Sequence, residues 1–534
     1  MLSATRDRPS ETDILVVGAG PAGLATAIRL KQRLNQTGRS ESVLVLDKAP
    51  RLGAHNLSGA VFEADCLDDL LPGWREDTDP FVQNMVRVEE DEMFFLNGTD
   101  AVRIPEPLVP AGMHHEGDFA VSISRLVDWM GRAAQREGVE IYTGFAARQI
   151  LADEDVVRGV KLVDLGLDGE GVPQSNYMQG EEMHAKVTVL ADGGRGVLSR
   201  QLTSILGAGE NPQIYSLGIK QLLKMPKNNK FGSNRAIHTI GYPNRNDVFG
   251  GGFIYSMGDS TVAIGLILGL DHKYQDLNPQ QELELLKRHP FVATLLEDSE
   301  VVASGVKTIP EGGYYSLPQL FTDGALMVGD AAGFVNVSRA KGIHYAIRSG
   351  MAAADTLMDA IERNSFSKNV LSGYEKRLGT LVLDDLRHAR NFRQCFKFGL
   401  YQGAPLSEVQ HLIPGKLPLD EDWRGIRPGA RLGRTYVGGM DKATFVSLAG
   451  AMHREDEPSH IKILDLALCT QCATTYATPC VPLCPGEVYR FEDGRLILSP
   501  TNCMHCGSCA VRCPYRNVVW TPPEGGEGPR FKQM

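Results

Sequence analysis

Eight of the ten cysteines in this 534-residue chain lie in one short segment between Cys469 and Cys513. The second half of this segment, from Cys503 to Pro514, reads C-x2-C-x2-C-x3-C-P. Thiolates at this spacing bind a [4Fe–4S] cluster, and the cysteine before the proline reaches a second cluster in two-cluster ferredoxins. Because no secretory signal is visible, the clustering favours a metal centre over disulfide bonds. His505, inside the loop, is expected to hydrogen-bond a cluster sulfur or face solvent rather than bind iron.

Cross-ligation between the two half-motifs divides these cysteines into two predicted sets. Set A, predicted to hold cluster A, comprises Cys484, Cys503, Cys506 and Cys509. Set B comprises Cys469, Cys472, Cys480 and Cys513. Because four thiolates suit both zinc and iron–sulfur centres, set B is open to a second cluster, a structural zinc ion or free thiols. Cys66 and Cys395 lie outside the segment and are interpreted as unligated.

A glycine turn near the N-terminus predicts a dinucleotide-binding unit. The sequence from Gly18 through Gly20 to Gly23 follows the apolar run DILVVG and opens a helical stretch. In such turns the first glycine permits the bend, the second lets the backbone approach a pyrophosphate, and the third lets helix and strand pack closely. The helix N-terminus then faces the phosphates. Asp47 ends the next predicted strand, where an acid binds a ribose hydroxyl.

Two later segments favour FAD over a nicotinamide cofactor. VLADGGRGVLSR (189–200) and GALMVGDAAG (324–333) resemble secondary FAD fingerprints of the flavoproteins that include aromatic hydroxylases and geranylgeranyl reductases. The resemblance implies that Asp330 lies at the ribityl and pyrophosphate region and that a helix beginning near Gly342 points at the flavin. It also implies an Arg125 near the pyrophosphate, unless that arginine is a solvated surface residue. No second GxGxxG follows, which argues against a simple NAD(P)H-linked reductase.

Composition excludes further classes of function. The formal net charge is −10, so nucleic-acid binding is not expected, since a phosphate backbone calls for a basic face. No apolar run reaches the ~18 residues that a membrane-spanning helix needs. The best run, TVAIGLILGL (261–270), is predicted to be a buried strand.

The order of the segments predicts an α/β and α+β fold with a Rossmann-type domain, an inserted antiparallel sheet and a ferredoxin-like C-terminal module. The predicted divisions are an FAD-binding domain (10–213 and 311–395), an inserted domain (214–310), a helical and loop connection (396–460) and an iron–sulfur domain (461–534).

With flavin and cluster motifs in one chain, the sequence resembles the electron-transfer flavoprotein–ubiquinone oxidoreductase family along nearly its whole length. The matching stretches include VVGAGPAGLA, FGGGFIYSM, AKGIHYAIRSG, LCPGEVYRF and NCMHCGSC. The resemblance implies that reduced electron-transfer flavoprotein passes single electrons to the cluster, that FAD collects two, and that ubiquinone becomes ubiquinol. It also implies that the 214–310 domain binds quinone through the backbone of Gly250 and Gly251, unless these glycines only form a bulge or turn.

The same resemblance implies peripheral attachment to the cytoplasmic face of a bacterial inner membrane. The family's membrane-dipping helix matches residues 395–415, where Pro405 and Glu408 weaken insertion. A second candidate, residues 57–74, contains several acids. Both segments are weak predicted anchors. The chain also departs from the mitochondrial members, which carry one cluster, because it keeps all eight cysteines.

Two other functions stay open at the level of sequence. One is a flavin-dependent reductase of an isoprenoid-type substrate, which would be indifferent to electron-transfer flavoprotein. The other is a relay subunit of a bifurcating flavoprotein complex, which would turn over little quinone.

Overall fold

The computed structural model describes residues 10–57, 61–435 and 438–534. Its strands, in chain order, are β1 Glu11–Val17, β2 Val43–Asp47, β3 Val61–Phe62, β4 Val86–Arg87, β5 Glu90–Leu96, β6 Ala101–Arg103, β7 Phe119–Ala120, β8 Glu140–Thr143, β9 Ala147–Asp153, β10 Val156–Leu162, β11 Leu165–Leu167, β12 Pro173–Met178, β13 Glu182–Leu190, β14 Tyr215–Lys224, β15 Arg235–Gly241, β16 Gly250–Ser256, β17 Thr261–Gly269, β18 Glu300–Pro310, β19 Phe321–Thr322, β20 Ala325–Met327, β21 Ile461–Ile463, β22 Tyr489–Glu492, β23 Arg495–Leu498 and β24 Val518–Trp520. Its α-helices are α1 Pro21–Gln36, α2 Asp65–Leu70, α3 Pro80–Gln83, α4 Ile123–Arg136, α5 Val197–Leu206, α6 Pro279–Arg288, α7 Pro290–Leu295, α8 Ile343–Glu362, α9 Lys368–Leu371, α10 Gly373–Leu378, α11 Asp384–His388, α12 Phe392–Cys395, α13 Leu400–Glu408, α14 Asp422–Gly425, α15 Lys442–Ala449, α16 Leu466–Tyr476, α17 Cys480–Leu483 and α18 Ser508–Arg512.

The first large sheet has eight strands and is built around parallel strands β13, β1, β2 and β8. β1 is a buried aliphatic run, as expected for a parallel strand covered on both faces. Helix α1 begins with Pro21 at its first turn, a position where proline needs no backbone hydrogen bond, and packs along α8. The predicted βαβ unit is therefore confirmed, and it places the glycine turn at the carboxyl end of β1.

The second large sheet has seven strands in the order β18-β14-β17-β16-β15-β5-β6. Its pairs are antiparallel except β15 with β5, which run parallel. The antiparallel sheet predicted for 214–310 thus extends to two strands from the segment 90–103. The numerical domain boundaries stay a prediction.

The C-terminal module has two small antiparallel pairs, β21 with β24 and β22 with β23, and short helices that carry the cysteines. The buried guanidinium of Arg512 donates to the backbone carbonyls of Leu270 and His272, each at 2.7 Å, and of Tyr274 at 3.1 Å. A buried cation with several charge-assisted hydrogen bonds fixes the module to the loop after β17.

Helix α13 contains Pro405 and ends at Glu408. Across the described ranges, no helix combines the length and the apolar character needed to cross a membrane.

Candidate functional site

A cavity of about 790 Å³ is lined by residues of both large sheets. This volume is within the range that cofactor sites occupy. Its wall includes the glycine turn, the start of α8, the start of β16 and part of α13.

The glycine turn meets the cavity at Gly18 and Gly20. A Cβ on Gly18, whose φ is +109°, would come within 2.2 Å of the Ala191 carbonyl oxygen, and one on Gly23 within 2.0 Å of the Gly18 oxygen. Those two glycines are required by the packing of the chain itself. A Cβ on Gly20 would meet nothing closer than the Asn56 side-chain nitrogen at 3.6 Å. The space beside Gly20 is therefore open cavity, which fits a pyrophosphate that approaches the backbone.

Two predicted acids stand on this wall. Asp47 accepts backbone N–H groups from Ala19 and Ala49, both at 2.7 Å, so its carboxylate is fixed at the cavity. Burial raises the pKa of Asp330 to about 6, and the positive charge of Lys307 opposes that rise. Both acids line the cavity.

Helix α8 begins at the cavity, with Gly342 as its N-cap and no side chain bonded to the cap. Its first backbone N–H groups and partial positive charge therefore face the cavity without a capping side chain. Arg125, by contrast, lies half-buried in the first turn of α4 and is not among the cavity-lining residues. Its role stays a prediction.

The predicted quinone glycines also line the cavity. Gly250 has a φ of +127°, and a Cβ there would lie 2.0 Å from the Ile267 carbonyl oxygen. A Cβ on Gly251 would lie 2.3 Å from the Thr239 carbonyl oxygen. The sheet alone thus requires both glycines, whatever ligand they face. Around them the wall is largely apolar, formed by residues such as Ile104, Leu108, Met113, Ile240, Phe249, Phe396 and Leu400.

A network of buried polar side chains reaches the same wall and was missed at the level of sequence. The Tyr255 hydroxyl lies 2.5 Å from Nε2 of His238, and Nδ1 of His238 lies 3.7 Å from an Asp91 carboxylate oxygen. The other Asp91 oxygen accepts the backbone N–H of His115 at 2.7 Å. Burial raises the pKa of Tyr255 well above its ordinary value and lowers that of His115 to about 4. Only the fold brings these distant positions together.

Lys341 continues this polar wall beside Gly342. Its ammonium donates to Glu63 at 2.9 Å and to Asp118 at 2.6 Å, and its side chain is only 2% exposed. Asp118 in turn lies 3.6 Å from Nδ1 of His115. Charged groups that are buried but paired in this way can hold protons at defined atoms.

Set A lies against the cavity wall. Cys503, Cys506 and Cys509 are buried, and Cys484 is half-buried. The hydroxyl of Thr308, a cavity-lining residue, donates to the Cys506 carbonyl at 2.7 Å. Burial, then the charges of neighbouring thiols led by Cys506, raises the pKa of Cys484 to about 11 and of Cys509 to about 12. The Cys506 thiol therefore lies near those of Cys484 and Cys509.

His505 hydrogen-bonds a cysteine sulfur, one of the two expected arrangements, but does so through its backbone rather than its ring. Its backbone N–H donates to the Cys503 sulfur at 3.4 Å, whereas its buried ring lies 2.9 Å from Nε2 of His453. The ring also packs 5.3 Å from that of His55, which lines the cavity. The ring thus packs against both His453 and the cavity-lining His55.

Set B adjoins set A, whose own cysteines likewise do not line the cavity. Cys469, Cys480 and Cys513 are half-buried, Cys472 is buried, and none of them lines the cavity. The pKa of Cys480 is raised well above its ordinary value, by burial first and then by the charges of Cys472, Cys509, Cys513 and Cys469. The two predicted sets are therefore adjacent groups in space.

Three segments of the chain match known family models. A model described as the ETF-QO ubiquinone-binding domain matches residues 215–309. One described as electron transfer flavoprotein-ubiquinone oxidoreductase, 4Fe-4S, matches 437–532, and an NAD(P)-binding Rossmann-like model matches 16–77. An electron transfer flavoprotein-ubiquinone oxidoreductase of Pseudomonas aeruginosa is 35% identical over 98% of this chain and 99% of its own length. The chain belongs to the electron transfer flavoprotein-ubiquinone oxidoreductase family.

Other members of the family are similar to this chain over nearly its whole length. A mitochondrial member from Homo sapiens is 34% identical, with 98% of this chain and 89% of the relative covered. A probable mitochondrial member from Schizosaccharomyces pombe is 35% identical, with 98% and 85% covered. A solved geranylgeranyl bacteriochlorophyll reductase-like structure from Thermoplasma acidophilum, at 17% identity and a TM-score of 0.56, covers 75% of this chain and 90% of its own and shows the fold alone.

Family membership confirms the predicted oxidoreductase class, the FAD-binding fold and a [4Fe–4S] module. It leaves the individual ligands, the number of clusters and the membrane contact as predictions.

Proposed function

We propose that this chain accepts electrons from reduced electron-transfer flavoprotein through a [4Fe–4S] cluster and FAD and reduces ubiquinone to ubiquinol. One observation carries the proposal. A single cavity joins a dinucleotide-type glycine turn to an apolar compartment, and set A stands at its wall through the Thr308–Cys506 hydrogen bond. The cluster supplies one-electron transfer, and FAD links single-electron to two-electron chemistry.

FAD would be held by groups that already face the cavity. The open space at Gly20 accommodates the pyrophosphate, and the uncapped N-terminus of α8 at Gly342 favours negative charge on the flavin. The Asp47 carboxylate meets ribose hydroxyls, and Asp330 meets the ribityl chain. Cys484, Cys503, Cys506 and Cys509 would hold the cluster.

The quinone ring would enter the apolar compartment and meet the backbone of Gly250 and Gly251. Glycine leaves the backbone N–H groups accessible to a flat ring. The surrounding aliphatic and aromatic side chains exclude water from the reaction and favour an isoprenoid-substituted ring.

Quinol formation also consumes two protons, and the buried network supports their delivery. The Tyr255 hydroxyl, bonded to Nε2 of His238, can give a proton at the cavity wall and regain one from Nε2 of the doubly protonated His238 ring, which returns to neutral imidazole. The Asp91 carboxylate beside Nδ1 of His238 stabilises the imidazolium that forms in between. Lys341, in ion pairs with Asp118 and Glu63, lies on the same wall beside Gly342.

The membrane contact and the cytoplasmic face are part of this proposal. Several large apolar side chains are strongly exposed on or beside the segments that line the cavity: Leu108 (72%), Phe398 (59%), Tyr401 (64%), Val409 (46%) and Leu412 (70%). Leu108, Phe396, Leu400, Ala404 and Pro405 line the cavity itself. An apolar rim at a cavity opening suits an interfacial attachment through which a lipid-soluble quinone reaches the site.

A turnover assay tests the function. The anaerobic protein is mixed with reduced electron-transfer flavoprotein and a short-chain ubiquinone analogue, and ubiquinol is measured. Ubiquinol at catalytic rates is expected. Turnover of an isoprenoid substrate instead, or tight co-purification with the flavoprotein and negligible ubiquinol, would favour the two other functions.

A matched pair of variants tests the quinone compartment. Ala404 lines the cavity, whereas Gln402 is exposed on the same helix. Ala404→Trp should lower ubiquinol formation at least tenfold and leave flavin reduction intact, because it fills the compartment. Gln402→Trp should have no effect. Equal rates for the two variants would place the quinone elsewhere.

A further inference from the structure

The function above uses set A and leaves Cys469, Cys472, Cys480 and Cys513 without a role. We propose that set B holds a second [4Fe–4S] cluster and that electrons enter the chain there before they reach set A. The presence of this cluster is independent of the proposed function, whereas its role as the first acceptor rests on it.

Asn517 joins the two ends of set B. Its backbone N–H donates to the Cys513 sulfur at 3.2 Å, and its side-chain nitrogen donates to the Cys469 sulfur at 3.3 Å. The side chain is buried and fixed by Asp465, whose backbone N–H donates to its oxygen at 2.8 Å. N–H donors to sulfur orient thiolate ligands and tune a cluster. Cysteines 44 positions apart are thus held as one group.

The spacing of the sulfurs discriminates between metals. Four thiolates bound to one zinc ion at about 2.3 Å stand about 3.8 Å apart. Among the described residues, which include every cysteine of both sets, no three cysteine sulfurs lie within 4.8 Å of one another. A cubane binds each thiolate to a different iron and so holds the sulfurs further apart. The described cysteines of set B are therefore not drawn together as the ligands of one zinc ion are.

The same backbone hydrogen bond occurs in both halves of the module. The backbone N–H of Cys484 donates to the carbonyl oxygen of Cys480 at 3.1 Å at the end of helix α17. The backbone N–H of Cys513 donates to the carbonyl oxygen of Cys509 at 3.1 Å at the end of α18. In each half, one helical turn connects a cysteine of one set to a cysteine of the other. The two clusters would therefore be neighbours linked by two short covalent routes.

Exposure gives the order of transfer. Three of the four set B cysteines are half-buried, whereas three of the four set A cysteines are buried, and one of these, Cys506, accepts the hydrogen bond of the cavity-lining Thr308. Reduced electron-transfer flavoprotein would lose one electron to a cluster held by set B, and that electron would pass on to the cluster held by set A without movement of a proton. Set B is the first of the two that a docked donor would approach.

Metal content of the unmodified protein decides the presence of the cluster. Protein purified without oxygen should contain about eight irons and eight acid-labile sulfides per FAD, and its reduced EPR spectrum should show two interacting clusters. About four irons per FAD, about seven with a three-iron signal, or stoichiometric zinc would overturn the proposal.

Variants decide the ligands and the order. Cys472→Ala should lower iron by about half with FAD retained, whereas the control Cys395→Ala, buried outside the module, should keep it all. Reduction of Cys472→Ala by electron-transfer flavoprotein should be at least tenfold slower, with dithionite reduction of the flavin unchanged. Full iron content would refute the ligands, and an unchanged rate at half the iron would refute the order. An eight-iron protein that electron-transfer flavoprotein fails to reduce would refute the proposed function alone.

Discussion

Two glycine segments line the same cavity, the turn that contains Gly18 and Gly20 and the start of β16 at Gly250 and Gly251. At the start of β16, an added Cβ would strike a sheet carbonyl oxygen at 2.0 Å or 2.3 Å, so the sheet itself excludes any side chain. At Gly20 the nearest atom would be 3.6 Å away, so the protein alone does not require glycine there. A glycine at a position where the protein has room for a side chain indicates a ligand. A glycine at a position where any side chain would clash is already explained by packing.

The largest expected effect is the loss of stability when a side chain is added at Gly250, where the sheet leaves no room for one. Gly250→Ala should destabilise the protein by about 4 kcal/mol, because it combines a left-handed φ with a clash against the Ile267 carbonyl. Chemical unfolding of the FAD-loaded protein measures this change. Gly98→Ala, at a glycine with no atom within 4 Å of its added Cβ, is the control. Wild-type stability for Gly250→Ala would show that the sheet relaxes at this point.

At Gly251, too, packing alone requires glycine, so a substitution there is a poor test of the quinone site. Loss of quinol formation in a Gly251→Val variant would not identify a quinone contact, since the clash with the Thr239 carbonyl disturbs β16 and β15 by itself. The tryptophan pair on α13 avoids that ambiguity.

The second expected effect concerns Gly20, beside which the cavity is open. Gly20→Val should leave folding intact and lower FAD affinity about 100-fold, because its methyl groups occupy the space for the pyrophosphate. Fluorescence titration of the FAD-free protein gives the affinity, and circular dichroism reports the fold. Gly98→Val should bind FAD normally. Normal affinity in Gly20→Val would remove the pyrophosphate from this turn.

The parts of the site that sequence predicted are those built from neighbouring residues. The turn from Gly18 to Gly23 follows β1 and opens α1 as predicted, and Asp47 ends β2. The ligands of these residues and of the C-x2-C cysteines stay predictions. The polar network was not predictable, since Asp91, His238 and Tyr255 meet only when β5 pairs with β15 and β15 with β16. The reason for Gly250 and Gly251 was equally hidden, because it depends on carbonyls of adjacent strands.

A third expected effect tests whether the buried polar network around Tyr255 delivers protons to the cavity. Tyr255→Phe should lower ubiquinol formation about 10-fold to 100-fold, within the usual contribution of a positioned proton donor, and enlarge the solvent isotope effect. Reduction of a one-electron acceptor that takes no proton should stay unchanged. Tyr274→Phe is a matched control, since Tyr274 is equally buried at 4% and its hydroxyl bonds Asp247 away from the cavity. Equal losses in both variants would indicate a general structural effect.

The smallest expected effect is the change with pH in the stability contribution of Asp330, which lines the predicted flavin side of the cavity. The pKa of Asp330 rises from 3.8 to about 6 on folding because burial penalises the carboxylate. An acid with a raised folded pKa costs no stability below about pH 4, and its cost grows until the pH passes about 6. In FAD-free protein, Asp330→Asn should therefore be stabilising, by about 1 kcal/mol more at pH 7 than at pH 5. Asp153→Asn, whose side chain is 76% exposed, should show no such slope. A flat difference between the two pH values would mean that water already solvates Asp330 in the empty cavity.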